Sequence, residues 1–177
     1  LLRGGTYVNQ IIAPARTGTS ESKRITYKAF PGETPEFRAT SRMQSPILIQ
    51  NRSYITIDGI SADGEGIYED SNYFYWIEFD SSTHCILKNS TLIRSKGYSA
   101  LSFGNDSSYN QIIDNYIDYN GTWNKRPWKG EYDDSGSMIW IQPGANNHNL
   151  IQGNTIKRSG HDLGIIMGNY NVIRNNY

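Results

Sequence analysis

The chain has 177 residues, 17 basic and 17 acidic side chains, and a sequence pI near 7.0. That balance argues against a general electrostatic partner such as nucleic acid or a charged membrane surface. The single cysteine, Cys85, excludes an internal disulfide, and no apolar run is long enough to span a bilayer as a helix.

Taken in chain order, the first stretch is Leu1-Leu2-Arg3-Gly4-Gly5-Thr6-Tyr7, then Arg24-Ile25-Thr26-Tyr27-Lys28-Ala29-Phe30-Pro31-Gly32-Glu33. A repeated phrase follows: Ile55 to Ile60, Ile86 to Leu92, Ile112 to Ile117, Ile151 to Ile156 and Val172 to Tyr177. Its common form is aliphatic-x-x-Asn-x-aliphatic, aligned on Asp58, Asn89, Asn115, Asn154 and Asn175. Repeats at intervals of about 20–50 residues indicate a solenoid, whose units bury their apolar faces only against neighbours. Apolar residues come in runs of two or three and β-branched types are abundant, so the units are predicted to be short strands with almost no helix.

The predicted fold is an all-β, right-handed, single-stranded parallel β-helix (a β-solenoid) over residues 1–177. Residues 1–50 form N-terminal coils, and 51–177 form coils with a stacked Asn ladder. An insertion occupies 120–136 and a smaller excursion spans 62–73. Uneven intervals suit this fold, because extra length leaves as loops at modest entropic cost. Cys85 is expected as a small buried residue. His84 and His148, in the polar turns before the phrase, are expected to be structural. Tyr177 falls where the phrase calls for a core aliphatic, which predicts continuation of the solenoid beyond the chain ends, a longer parent chain, or end-to-end self-association.

The opening stretch together with the later coils resembles secreted β-helix proteins of the pectate-lyase-like superfamily. Chondroitinase-B-like and alginate-lyase-like polysaccharide lyases belong there, as do uncharacterised β-helix repeat proteins. The resemblance covers nearly the whole chain. It implies an extracellular, secreted or cell-surface protein acting on a polysaccharide, with a groove on the outer face of one parallel sheet.

After each phrase the chain enters a further apolar strand: residues 75–79, 100–103, 138–141 and 164–167. Alternation predicts Ile77, Phe79, Leu101, Phe103, Ile139, Ile141, Ile165 and Met167 inside. It puts Trp76, Glu78, Ser102, Met138, Trp140 and Ile166 outside. Trp76, Trp140, Trp123 and Trp128 are candidate sugar platforms, with Glu78 and Arg94 as polar substrate contacts. The segments entering these strands carry Arg94, Lys96, Asp133, Asp134, Arg158, His161 and Asp162 along one predicted edge. Lys96, Asp134, Arg158, His161 and Asp162 are the candidate catalytic residues, since proton abstraction beside a uronate carboxylate needs a base and a neutralising charge. Gly160-His161-Asp162 is the sharpest of them, because imidazole suits proton transfer near neutrality. Asp133-Asp134 and Gly160-His161-Asp162 echo two of the four motifs of polygalacturonase-like hydrolases, but the other two are missing. Glu131 and Asp133 could hold a calcium ion through hard oxygen ligands.

The leading expectation is a polysaccharide lyase that cleaves a uronate-containing polymer by β-elimination. The competing one is a non-catalytic structural, adhesive or glycan-binding solenoid, and the third is a glycoside hydrolase or epimerase. The same ladder would serve any of them, so fold and reaction separate at this point.

Overall fold

The computed structural model describes residues 1–39, 45–64, 75–95, 99–120, 137–159 and 164–177. The chain is a parallel β-helix: every strand pair is parallel, and three sheets run along its length. Sheet 1 stacks Ile25–Lys28, Ile55–Asp58, Ile86–Lys88, Gln111–Ile113, Leu150–Gln152 and Val172–Arg174. Sheet 2 stacks Gly5–Val8, Pro35–Arg38, Ser61–Asp63, Thr91–Ile93, Tyr116–Asn120 and Thr155–Ser159. Sheet 3 stacks Ile47–Gln50, Tyr75–Asp80, Ser99–Gly104, Ser137–Ile141 and Gly164–Ile166. From Ile55 onward each coil passes through sheets 1, 2 and 3 in turn, as the repeated phrase implied. Among the described residues there is no helix, and so none able to cross a membrane.

The interior is a set of aliphatic rows along the axis. Ile47, Ile77, Leu101 and Ile139 form one, and Ile57, Leu87, Ile112 and Ile151 another. Phe79 and Phe103 stack inside sheet 3 with ring centroids 5.0 Å apart. Cys85 is fully buried as expected, and burial pushes its thiol up to about 11, so it stays protonated and unreactive at neutral pH.

The Asn ladder exists, but the sequence phrase merges two neighbouring columns. One column is Gly59, Asn89, Asp114, Gly153 and Asn175, all left-handed with φ between 51° and 74°. Asn, Asp and Gly tolerate that conformation, which explains their enrichment there. At Gly153 a Cβ would also run into Asp114 Oδ1. The next column is the hydrogen-bonded one: Ser90, Asn115, Asn154 and Asn176. Asn115 Oδ1 accepts from the Ser90 N–H at 2.9 Å, Asn154 Oδ1 from Asn115 at 2.9 Å, and Asn176 Oδ1 from Asn154 at 2.9 Å. Thus Asn115 and Asn154 were in the ladder as aligned, whereas Asp58, Asn89 and Asn175 were one or two positions early. Adjacent positions both favour Asn, so one-dimensional spacing could not separate them.

A second amide ladder lies at the turn into sheet 1. Asn110, Asn149 and Asn171 accept from the backbone N–H of Cys85, Asn110 and Asn149 at 2.9, 2.9 and 2.8 Å. Beside it runs an aromatic column: Tyr54, His84, Tyr109, His148 and Tyr170 stack at successive separations of 4.8, 5.1, 4.9 and 4.9 Å. Each of these residues is left-handed. Arg24 closes the column at one end, with its guanidinium 5.8 Å from the Tyr54 ring centroid and Nη1 donating to His84 O at 2.6 Å.

The last coil departs from the expected phase. Sheet 3 pairs Trp140 with Ile165 and Ile141 with Ile166, so in register Ile166 is level with the inward row, although Ile166 and Met167 are both exposed at this last coil. Tyr177 bonds through its N–H to Asn154 O at 2.9 Å, which places it one residue past the ladder and level with Thr155. It is an outward position, 84% exposed, not the core aliphatic position expected.

Candidate functional site

Three outward rows cross sheet 3, and they differ sharply. The first comprises Trp76, Ala100 and Met138, all essentially inaccessible. Trp76 and Met138 were expected to face solvent, and their burial removes Trp76 from the exposed sugar platforms. Strands Tyr116–Asn120 and Thr155–Ser159 of sheet 2 approach strands Ser99–Gly104 and Ser137–Ile141 of sheet 3. An indole on a covered part of an outer face gains more from packing than from solvent contact.

The second row is Leu48, Glu78, Ser102 and Trp140. Here the carboxyl and the indole share one row, with the fully buried Ser102 between them. Glu78 and Trp140 are half-buried. The third row is Gln50, Asp80 and Gly104, continued by Gln142, whose N–H bonds Phe103 O at 2.9 Å. Asp80 accepts from Gln50 Nε2 at 2.8 Å and from Asn105 Nδ2 at 2.6 Å. Gln142 Nε2 donates to Ser102 Oγ at 3.0 Å and thereby links the two rows. Gly104 makes room for it: a Cβ there would meet the Gln142 amide nitrogen at 3.0 Å.

Glu78 and Asp80 are two residues apart on one strand, so they share a face. Burial raises the Glu78 carboxyl above its ordinary range, the Asp80 charge raises it further, and a hydrogen bond with Ser45 opposes both. Asp80 was missed in the sequence, although the Glu78-Phe79-Asp80 alternation carries the signal.

The two arginines sit at the turn from sheet 2 into sheet 3, on the column Arg94, Tyr119, Arg158. Arg94 Nε donates to Asp63 Oδ1 at 2.8 Å, and its Nη2 pairs with Asp63 Oδ2. Arg158 Nε donates to Asp118 Oδ1 at 2.8 Å, and its Nη2 pairs with Asp118 Oδ2. The Arg158 guanidinium also lies 4.1 Å from the Tyr119 ring centroid. Arg158, with help from the Tyr116 hydroxyl, holds the Asp118 carboxyl below the usual range, while Asp118 raises the guanidinium. Bidentate pairing to a carboxylate that is itself buried makes each arginine a clamp on this turn. A substrate carboxylate would have to share them.

Lys96, Trp123, Trp128, Glu131, Asp133, Asp134, His161 and Asp162 lie outside the described residues. Among the described residues no group of three or more His, Cys, Asp or Glu side chains could hold a metal ion. The calcium expectation rests on Glu131 and Asp133.

No family model matches the chain, and no curated protein matches it either. Among solved structures it is similar to an alginate lyase from Paenibacillus sp. str. FPU-7, with a TM-score of 0.63 and 17% identity. The likeness covers 98% of this chain and 66% of that one, so the chain spans just under two thirds of the lyase's length. At that identity the likeness establishes the fold: a parallel β-helix of a kind that a polysaccharide lyase also uses.

Proposed function

We propose that the protein is a polysaccharide lyase that binds a uronate-containing polymer across the outer face of sheet 3 and cleaves it by β-elimination. One observation carries this reading: the outer face of sheet 3 sets the half-buried Glu78 and Trp140 on one row, with the buried Ser102 between them and Gln142 bonded to it. An indole offers a platform for a sugar ring, and the Glu78 carboxyl and the Gln142 amide beside it can bond ring hydroxyls. The fold shared with an alginate lyase supports the substrate class. His161 or Lys96 is assigned as the base. Arg158 and Arg94 supply positive charge at the rim while bound to Asp118 and Asp63. A polymer of this size implies a secreted or cell-surface setting.

The test is incubation with alginate, pectate and glycosaminoglycans, with and without calcium, following the absorbance of unsaturated products. Product from at least one polyuronate, reduced at least tenfold in Trp140→Ala, is expected. Absence of product on every polymer, with or without calcium, would overturn the lyase reading and leave a non-catalytic solenoid.

A further inference from the structure

We propose that Glu78 is the general acid of this site, and that Asp80 is the neighbour that keeps the proton on it. The inference rests on the lyase reading above and assigns a role that reading leaves open.

The two carboxyls share a strand face but not a hydrogen-bonding environment. Asp80 is nearly buried, at 8% exposure, and takes amide donors from both sides, Gln50 Nε2 on one oxygen and Asn105 Nδ2 on the other. An amide N–H can only donate, so this arrangement suits a carboxylate that accepts on both oxygens. Glu78 bonds instead with Ser45, whose hydroxyl favours the ionised form by less than burial and the Asp80 charge disfavour it. Two carboxyls two residues apart on one strand face, one buried and one half-buried, do not readily hold two negative charges. The donors settle the asymmetry: the charge stays on Asp80 and the proton on Glu78. The raised Glu78 carboxyl agrees with this, with burial its largest cause and Asp80 the next.

Position makes the proton useful. Glu78 stands on the open row, with Ser102 on the next strand and Trp140 on the one after, about 10 Å away at the ordinary inter-strand spacing. A sugar ring resting on the half-buried Trp140 therefore sets a neighbouring ring, and the glycosidic oxygen between them, toward the half-buried Glu78, with the buried Ser102 beneath. In β-elimination the base removes the proton α to the uronate carboxylate. The C–H electron pair becomes the new C=C bond as the C–O bond to the leaving sugar breaks. The leaving oxygen takes the Glu78 proton. Glu78 is then an ion beside Asp80, a state its surroundings disfavour, so it regains a proton from solvent before the next turnover.

The experiment pairs a direct titration with kinetics. Carbon-13 NMR of Glu-labelled protein, with Glu78 assigned through Glu78→Gln, follows its carboxyl with pH. Glu78 is expected to keep its proton to higher pH than the other glutamates, and Asp80→Asn to bring it down. On the best polyuronate, Glu78→Gln is expected to lower kcat by about 100-fold with KM within about threefold. Asp80→Asn should move the alkaline limb of the kcat profile to lower pH. Circular dichroism of the near-isosteric Glu78→Gln checks its fold. A Glu78 that titrates with the other glutamates overturns the proposal. So does a Glu78→Gln variant within twofold of wild type in kcat, and in that case cleavage itself still upholds the lyase reading. If no polymer is cleaved by the wild type, the lyase reading falls and the acid assignment falls with it, whatever the titration shows.

Discussion

The turn into sheet 1 and the outer face of sheet 3 follow opposite rules. At the turn, successive coils repeat the same chemistry: Tyr54, His84, Tyr109, His148 and Tyr170 in one column, Asn110, Asn149 and Asn171 in the next. On the open face, successive coils present Leu48, Glu78, Ser102 and Trp140, no two alike. A solenoid is held together by contacts between like positions, so repetition marks structural work. Where a column stops repeating, stacking is not what selected the residues, and a ligand becomes the better explanation.

The sharpest way to break that contrast is to cut the ladder. Asn154 accepts from the buried Asn115 N–H and donates to Ile112 O at 2.9 Å. Asn154→Ala leaves the buried Asn115 N–H without its acceptor, at about 1–3 kcal/mol, and takes one bond from Ile112 O, at about 1 kcal/mol. A loss of about 3 kcal/mol in denaturant unfolding is expected, against about 1 kcal/mol for Ser102→Ala, which removes one buried hydroxyl bonded to Gln142. A smaller effect belongs to the aromatic column. His148 stacks on Tyr109 and Tyr170, both at 4.9 Å. His148→Ala is expected to lose about 1–2 kcal/mol, from two ring contacts at about 0.5–1.5 kcal/mol each.

The smallest effect is in the pH dependence, where two carboxyls should act with opposite sign. Asp118 is held below its unfolded value, so its contribution is present above the ordinary carboxylate range and is lost as pH falls through the folded value. Glu78 is held above its unfolded value. Its contribution is complete below the ordinary range and is lost as pH rises through the folded value. Asp118→Asn should therefore flatten the acid limb of melting temperature against pH. Glu78→Gln should raise stability relative to wild type as pH rises above the ordinary carboxylate range, with little change below it. If both variants move the curve the same way, the clamp and the site are not distinct environments.

The architecture was legible because the repeat is chemical as well as numerical. Ile77, Phe79, Leu101, Phe103, Ile139 and Ile141 lie in the core where alternation put them. Three things were not legible. The column assignment of the ladder needed the left-handed φ of Asn89 and Asp114, which spacing does not carry. The last coil slipped by one residue because Ile165-Ile166-Met167 is apolar throughout, so alternation had no contrast to read. The burial of Trp76 depends on neighbouring segments at the edge of sheet 3, and local pattern says nothing of those. For the site, Glu78, Ser102 and Trp140 share a row as read. Asp80, Asp63 and Asp118, the carboxylates that hold the site and its rim, emerged only when side chains met across coils.

The most direct test of this division of labour is polymer retention by two variants side by side. Wild type, Trp140→Ala and His148→Ala are run by affinity electrophoresis through gels containing alginate or pectate. Trp140→Ala is expected to lose retention and His148→Ala to keep it, with circular dichroism showing both variants folded. Equal retention by wild type and Trp140→Ala, or equal loss in both variants, would contradict the assignment of the open face as the site.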